Sequence, residues 1–219
     1  MKKIFKCILF DLDGTLIQSG PDLLDSLNFI LEKNRIPQIS SNTIGNLVGG
    51  GAANMIEKAY KFNNIKIKPK EIIDLVDQFI SYYSKNCSNK TLPYKNVLPT
   101  LKTLKSKEIL MCVCTNKKQY LAEKILKDLN LFKYFEIILG SNPSLKMKPD
   151  CEMLVSIINE LGVDIKNTIM VGDSDNDIIP ANKLGINSVF ATYGYGEIGN
   201  LSPTAKIRDF SEILEFIKF

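Results

Sequence analysis

Five short apolar runs, each bounded by polar or turn-forming residues, constrain the fold of this chain most strongly. They are IFKCILF (4–10), ILMCVC (109–114), FEIIL (135–139), TIMV (168–171) and NSVFA (187–191). Because these runs are short and do not alternate apolar with polar residues, they predict strands buried on both faces. Segments with helical apolar spacing follow them at 98–107, 118–130, 151–162 and 176–185. The alternation predicts an α/β fold with a doubly wound parallel sheet.

One long interval interrupts this alternation. Roughly 75 residues separate the first run from the next strand-helix unit, far more than an ordinary connection. Three segments inside it, at 21–34, 51–62 and 71–86, have helical apolar spacing and no clear strand pattern. We therefore predict a small helical domain at residues 18–92, inserted into a core domain made of residues 1–17 and 93–219.

Charge and hydropathy exclude several classes of partner. The 219 residues include 28 basic and 24 acidic side chains, but only Arg35 and Arg208 are arginines. Nucleic-acid recognition relies on arginine forks and basic clusters, so we expect no nucleic-acid partner. No apolar run approaches the ~20 residues that span a membrane. Lys6 and Asp11 interrupt the apolar start before any signal-peptide cleavage pattern, so we expect a cytoplasmic protein with no membrane partner.

The chain contains no histidine, which removes many catalytic mechanisms. Histidine-nucleophile phosphatases, Ser-His-Asp hydrolases, papain-like enzymes and imidazole-bound zinc sites all need that residue. The five cysteines form no CxxC pair, and none has the arginine six residues later that a cysteine phosphatase requires. We expect Cys7, Cys112 and Cys114 to be reduced core thiols. Acid-base chemistry must therefore come from carboxylates or lysine.

Polar residues follow four of the predicted strands, and ligands of an open parallel sheet bind beyond the carboxyl ends of its strands. These residues are Asp11-Leu12-Asp13-Gly14-Thr15, Thr115-Asn116-Lys117, a loop with Lys146, Lys148 and Pro149, and Gly172-Asp173-Ser174-Asp175-Asn176-Asp177. Carboxylates crowded at one edge repel one another unless a cation joins them, and all-oxygen ligation suits Mg²⁺. The lysine, hydroxyl and amide groups can donate to phosphoryl oxygens. The pattern predicts Mg²⁺-dependent phosphoryl chemistry.

The same residues resemble the motifs of a known enzyme family. FDLDGT, Thr115-Asn116, Lys148-Pro149 and VGDSDND match the four motifs of the haloacid dehalogenase superfamily, in order and across nearly the whole chain. The resemblance implies a Rossmann-like core with an inserted helical cap. Within the superfamily, TYGYG (192–196) and LVGGGAANMIEKA (47–59) are similar to segments of phosphoglycolate phosphatases.

The resemblance also implies a catalytic role for several residues. Asp11 would be the nucleophile that forms an aspartyl phosphate, and Asp13 the general acid and base. Lys148 is assigned as the catalytic lysine in preference to Lys146, because the family's lysine directly precedes Pro and Asp. Thr115 and Asn116 would bind the phosphoryl group, through the hydroxyl of Thr115 and the backbone amide of Asn116.

The metal and the rest of the substrate are assigned in the same way. Asp11, the backbone carbonyl of Asp13, and Asp173 would hold Mg²⁺, with Asp177 as a further ligand or as the partner of a ligand. Gly50 and Gly51, with Gly49, lead a predicted helix at 49–60. Free backbone amides there could bind a substrate carboxylate.

Two other patterns in the chain resemble known binding motifs, but each lacks a feature that the motif requires. Asp173, Asp175 and Asp177 imitate the start of an EF-hand loop, but Ile178 and Leu184 occupy its glycine and glutamate positions. GYGEIG (194–199) matches the dinucleotide pattern GxGxxG but opens no helix. We expect that segment to be a flexible loop near the site or a contact between subunits or domains, and its tyrosines to serve only in packing.

The expected function is therefore Mg²⁺-dependent hydrolysis of a small phosphomonoester, with 2-phosphoglycolate favoured. Inorganic pyrophosphate, sugar phosphates and a phosphomutase outcome are alternatives on the same scaffold. A dehalogenase is disfavoured, because that reaction does not need the carboxyl group of Asp13. A phosphorylated receiver domain is disfavoured because receivers are shorter and lack an inserted cap. We expect a monomer or a homodimer.

Overall fold

The computed structural model describes residues 5–48 and 50–217. Ile4, the first residue of the first predicted strand, lies outside the described residues. The chain divides into two compact units, one formed by Met1–Gln18 with Pro93–Phe219 and the other by Ser19–Leu92. No helix in the described ranges is long and apolar enough to cross a membrane.

The first unit is built around a parallel sheet. The strands are β1 (Cys7–Phe10), β2 (Ile17–Gln18), β3 (Leu92–Pro93), β4 (Leu110–Lys118), β5 (Ile137–Ser141), β6 (Thr168–Gly172), β7 (Asn187–Ala191) and β8 (Ala205–Ile207). Six of them pair in the order β5-β4-β1-β6-β7-β8, and every pair is parallel. β2 and β3 form a separate two-stranded sheet. The predicted doubly wound α/β fold is confirmed, with β8 as an additional strand.

The central strands owe their position to residues that are apolar on both faces. β1 buries all four of its residues, and β6 buries all five. Cys7, Cys112 and Cys114 are buried in the same hydrophobic cluster, and none of the five cysteines, all of which are described, forms a disulfide. Burying apolar area contributes about 25 cal/mol per Å², so continuous apolar runs favour the middle of the sheet over its edges.

Helices occupy the segments between the strands. They are α1 (Gly20–Lys33), α2 (Gly51–Phe62), α3 (Pro69–Asn86), α4 (Val97–Ser106), α5 (Gln119–Asp128), α6 (Glu152–Leu161), α7 (Asp175–Leu184) and α8 (Ile213–Phe216). α6 and α7 are followed by Gly162 and Gly185, whose φ values of 63° and 73° terminate a helix in the left-handed conformation. The predicted helical segments at 151–162 and 176–185 end at the same two glycines.

The second unit contains α1, α2 and α3, and α3 packs against both of the others. Its two ends are joined by Asp22, a residue of α1 that is almost completely buried. The Asp22 carboxylate accepts hydrogen bonds from the backbone amides of Lys90 (3.0 Å) and Thr91 (2.8 Å) and from the Thr91 hydroxyl (2.7 Å). The chain therefore enters and leaves this unit at neighbouring points.

Candidate active site

β1 pairs with both β4 and β6, which brings together the motif residues that come after the paired segments of these strands. Phe10 at the end of β1 pairs with Val113 of β4 and with Val171 of β6. The backbone amide of Asp11 donates to the carbonyl of Val171 at 2.9 Å. Asp173 follows the last residue of β6, so the first and fourth motifs are neighbours on adjacent strands.

Lys148 is the centre of the resulting polar cluster. Its Nζ donates to Oδ1 of Asp11 (2.9 Å), Oδ1 of Asp177 (2.6 Å) and the carbonyl of Cys114 (2.6 Å). An ammonium group has three hydrogens, so all of them are used. Only 4% of Lys148 is exposed. The structure thus fixes this lysine between the carboxylates that follow β1 and begin α7.

Lys146, the other candidate for the catalytic lysine, lies outside this cluster. The side chain of Lys146 is 72% exposed and pairs with Glu152 at 2.9 Å. The loop that carries Lys148 is held by Asn116, whose Nδ2 donates to the Lys148 carbonyl (2.7 Å) and whose Oδ1 accepts from the Lys148 amide (2.9 Å). The motif pattern assigned only the backbone of Asn116, so this reciprocal pair was not predicted.

Asp11, Asp173 and Asp177 form an acidic group that could hold a metal ion, because one oxygen from each lies within 4.8 Å of the others. Oδ2 of Asp173 accepts from the backbone amides of Tyr195 (2.8 Å) and Gly196 (3.1 Å). An oxygen of Asp173 belongs to the acidic group, so this carboxylate can serve as a ligand.

Asp177 is more fully engaged than its two neighbours. Its Oδ1 accepts from Lys148, and its Oδ2 accepts from the amide (3.1 Å) and hydroxyl (3.0 Å) of Ser174 in a capping box at the start of α7. Asp175, the middle aspartate of the same loop, is exposed and outside the acidic group. This separation agrees with the rejection of an EF-hand.

Burial and the neighbouring charges shift the pKa values of the residues in the acidic group. Burial raises the pKa of Asp11 to about 6, with Lys148 opposing the rise and Asp177 and Asp13 adding to it. Burial, followed by the charges of Asp11 and Asp177, raises the pKa of Asp173 to about 8. Burial alone would lower the pKa of Lys148, but Asp11 and Asp177 outweigh it and raise the value. One lysine cannot balance three carboxylates, so the donor set fits a divalent cation such as Mg²⁺.

The loop that follows β7 holds Asp173 through its backbone. A Cβ atom at Gly194 would lie 2.3 Å from the Cβ of Asp173, and one at Gly196 would lie 2.6 Å from the Asp173 carbonyl. A Cβ at Gly14 would lie 2.2 Å from Oδ2 of the same aspartate. Only glycine permits so close an approach. The loop lies near the site, as one of the two predicted alternatives has it, and its amides bind the carboxylate of Asp173. The other alternative, a contact between subunits or domains, stays a prediction.

The tyrosines of this region do more than pack, which corrects the expectation from sequence. The hydroxyl of Tyr193 donates to the carbonyl of Thr15 at 3.0 Å, and the Tyr193 ring centroid lies 4.7 Å from that of Tyr94. Burial raises the pKa of Tyr193, so the hydroxyl keeps its proton and remains a donor. This hydrogen bond links the loop that follows β7 to the first motif, FDLDGT.

Asp13 is paired with a lysine to which the motif pattern assigned no role. Nζ of Lys117 lies 2.7 Å from Oδ1 and 2.8 Å from Oδ2 of Asp13. The side chain of Lys117 is 6% exposed and that of Asp13 is 21% exposed. The hydroxyl of Thr115, a buried residue, accepts from the amide of Lys117 at 3.2 Å. Lys117 thus belongs to the same edge of the sheet as the predicted catalytic residues.

The predicted glycine site lies in the second unit. Gly50 precedes α2 with a φ of 74°, and Gly51 is the first residue of α2 with a φ of 83°. Gly49 lies outside the described residues. The predicted contact of these amides with a substrate carboxylate stays a prediction.

The sequence model of the haloacid dehalogenase-like hydrolases matches residues 8–191 of this chain. The chain belongs to that family. A phosphoglycolate phosphatase of Agrobacterium fabrum is 33% identical over 207 residues, which is 94% of this chain and 89% of the relative. One of Pasteurella multocida is 33% identical over 221 residues, 98% of this chain and 99% of the relative. A crystal structure of a predicted phosphoglycolate phosphatase from Haemophilus somnus superposes with a TM-score of 0.89 at 32% identity, covering 98% of each chain.

Membership decides between the classes of function that the sequence left open. This haloacid dehalogenase-like hydrolase is an enzyme of the phosphatase type, as its family and its curated relatives indicate. The alternative of a phosphorylated receiver domain is therefore wrong. A receiver would also lack the helical unit that this hydrolase carries between β2 and β3.

Proposed function

We propose that this hydrolase releases phosphate from a small phosphomonoester through an aspartyl phosphate on Asp11, with Mg²⁺ as cofactor. The observation that carries the proposal is the contact of Lys148 with both Asp11 and Asp177 in a buried acidic group that includes Asp173. A carboxylate held this way at the end of a central strand is oriented for attack and has its negative charge partly balanced.

In the first half of the reaction, a carboxylate oxygen of Asp11 attacks the phosphorus atom. The bond between phosphorus and the leaving oxygen breaks as Asp13, in its protonated form, gives that oxygen a proton. The hydroxyl of Thr115 and the backbone amide of Asn116 donate to the phosphoryl oxygens. Lys148 keeps Asp11 in place and balances charge on the phosphoryl group.

In the second half, the Asp13 carboxylate takes a proton from a water molecule whose oxygen attacks the phosphorus. The bond between phosphorus and Asp11 breaks, which releases inorganic phosphate and restores the Asp11 carboxylate. Asp13 ends the cycle protonated, as it began. The mechanism therefore needs a carboxyl group at each of these two positions, and no histidine.

The residues that would hold Mg²⁺ are Asp11, Asp173 and the backbone carbonyl of Asp13. When bound, Mg²⁺ neutralises negative charge on the phosphoryl group and on these carboxylates. Asp177 completes the acidic group. Because both of its oxygens already accept hydrogen bonds, we assign it chiefly to holding Lys148.

Removal of the metal should abolish turnover. We expect EDTA to reduce phosphate release to background and added Mg²⁺ to restore it, since the acidic group repels a phosphate dianion unless a cation is present. Mg²⁺ should also raise the Tm, because a ligand at a hundred times its Kd stabilises the native state by about 2.7 kcal/mol. Full turnover in metal-free buffer would contradict the assignment.

A substitution at Gly194, in the loop that follows β7, tests specifically whether Asp173 is a ligand of the metal. Gly194→Ala introduces a Cβ that overlaps the Asp173 side chain, so its half-maximal activity should need roughly ten times more Mg²⁺, about 1.4 kcal/mol of binding energy. Gly45→Ala is the matched control, because no atom lies within 4 Å of a Cβ built there. An equal Mg²⁺ requirement in both variants would count against Asp173 as a ligand.

The preferred substrate within this proposal is 2-phosphoglycolate. The names of the curated relatives support it, and so does the glycine-led helix α2, since backbone amides at a helix N-terminus suit a substrate carboxylate. Within this proposal, the helical domain predicted at residues 18–92 selects the leaving group.

Comparison of kcat/KM across substrates tests this choice. We expect 2-phosphoglycolate to exceed inorganic pyrophosphate and hexose phosphates by tenfold or more, a difference of ~1.4 kcal/mol in transition-state binding. If either rival exceeds 2-phosphoglycolate by that factor, the substrate proposal fails. Phosphatase activity itself would still stand.

A further inference from the structure

We propose that Lys117 is a positioning residue that holds the carboxyl group of Asp13 in the orientation needed for proton transfer. The inference rests on the proposed role of Asp13 as general acid and base. Its basis is the contact of one ammonium group with both carboxylate oxygens, at 2.7 and 2.8 Å. The four motifs assign Lys117 no function.

The backbone that carries Lys117 is fixed by an irregularity in the sheet. The register between β4 and β5 shifts between Cys114 and Lys118, so the segment between them departs from regular pairing. Gln119 fastens the end of this segment to β5, because its Nε2 donates to the Ile138 carbonyl (2.8 Å) and its Oε1 accepts from the Gly140 amide (2.6 Å). The backbone position of Lys117 is thus fixed by the end of β4 and not by a mobile loop.

The close approach of β5 reinforces this arrangement. A Cβ at Gly140 would lie 2.6 Å from the Cα of Gln119 and 2.7 Å from the Lys117 carbonyl. Only glycine allows the two backbones to come so near. Gly140, near the end of β5, therefore supports the segment from which Lys117 extends to Asp13.

The burial of Lys117 distinguishes this pair from an ordinary surface ion pair. Exposed pairs are screened by water and salt and contribute little, whereas only 6% of the Lys117 side chain is exposed. A carboxyl group with 21% exposure, whose two oxygens both contact the same ammonium nitrogen, has few alternative orientations. Displacing a reacting group by about 1 Å can cost ~10²-fold in rate, so we expect an effect of that size when Lys117 is removed.

The test compares Lys117→Met with Lys118→Met, the neighbouring and exposed lysine, in the presence of Mg²⁺. With p-nitrophenyl phosphate the leaving group departs without a proton, so only hydrolysis of the aspartyl phosphate needs Asp13. We expect Lys117→Met to release about one equivalent of p-nitrophenolate in a burst. Its kcat then falls ~10²-fold, while kcat/KM stays near the wild-type value.

A phosphomonoester with an alkyl leaving group gives the complementary result. Its oxygen needs a proton, so kcat/KM for 2-phosphoglycolate should fall in Lys117→Met as well. Lys118→Met should match the wild type with both substrates. Lys117→Arg, which keeps a cation at this position, should lose less activity than Lys117→Met and serves as the second variant if Lys117→Met folds poorly.

A double-mutant cycle separates positioning from direct substrate contact. If Lys117 acts through Asp13, then Lys117→Met causes no further loss in the Asp13→Asn background. A further ~10²-fold loss in that background, or a higher KM with unchanged kcat, would show that Lys117 binds substrate and would overturn the proposal.

The proposed function can fail separately from this inference. If Asp11→Asn turns over at the wild-type rate, the aspartyl-phosphate mechanism itself is wrong. If Asp11→Asn is inactive but Lys117→Met is indistinguishable from Lys118→Met, only the role of Lys117 is wrong.

Discussion

Asp11→Asn is expected to eliminate turnover while leaving the fold intact. An amide is a far weaker nucleophile than a carboxylate, so we expect kcat to fall on the order of 10⁴-fold or more, the scale on which removing a covalent nucleophile acts. The amide oxygen can still accept the hydrogen bond from Lys148. Burial and neighbouring carboxylates raise the pKa of Asp11 to about 6, so removing its charge relieves repulsion, and the Tm should not fall.

Two measurements check this prediction. The first is kcat, with Asp175→Asn as the control, because Asp175 is an exposed aspartate outside the acidic group. The second is mass spectrometry of acid-quenched enzyme, which should locate phosphate on Asp11 in the wild type. Wild-type kcat in Asp11→Asn, or phosphate on a different aspartate, would contradict the mechanism.

Lys148→Ala should damage both activity and stability. The substitution removes three hydrogen bonds at once and leaves the charges of Asp11 and Asp177 without their shared cation. Breaking a buried ion pair by removing one partner typically lowers the free energy of unfolding by about 3 to 5 kcal/mol. We expect a loss of this size in urea titrations, together with loss of phosphatase activity.

Lys146→Ala provides the control for this substitution. Lys146 is exposed and pairs only at the surface, so its removal should change the free energy of unfolding by no more than about 0.5 kcal/mol. Lys148→Met keeps much of the side-chain volume and separates the loss of charge from the loss of packing. Greater damage from Lys146→Ala than from Lys148→Ala would mean that the wrong lysine was assigned.

The sheet was largely predictable because its strands bury both faces. Runs such as Cys7–Phe10 and Thr168–Gly172 contain little but apolar residues, and few other structures suit segments so short. β8 was not predicted because it is only three residues long, with Lys206 exposed at its centre. The extension of β4 to Lys118 was hidden in the same way, since its last residues are polar and pair irregularly.

Candidate site residues could be predicted from the sequence where their side chains have distinctive chemistry. Contacts made by backbone amides could not. Asp11, Asp173 and Lys148 stand in motifs whose residue types already indicate phosphoryl chemistry. The amides of Tyr195 and Gly196 that hold Asp173 have no residue-type signature. Lys117 stands in a chain where nearly all the basic residues are lysines, so its identity carries little information until its distance to Asp13 is known.

The bonds from Asp22 to Lys90 and Thr91 affect how the chain can be recombined. Closing a flexible loop loses entropy that grows by only about 0.6 kcal/mol for each doubling of its length. Here hydrogen bonds within the insertion hold its two ends close together. For the core domain, residues 19–92 therefore have an entropic cost of closure similar to that of a short connection. We therefore expect this segment to be exchangeable between relatives as one unit, provided that Asp22 and Thr91 are transferred together.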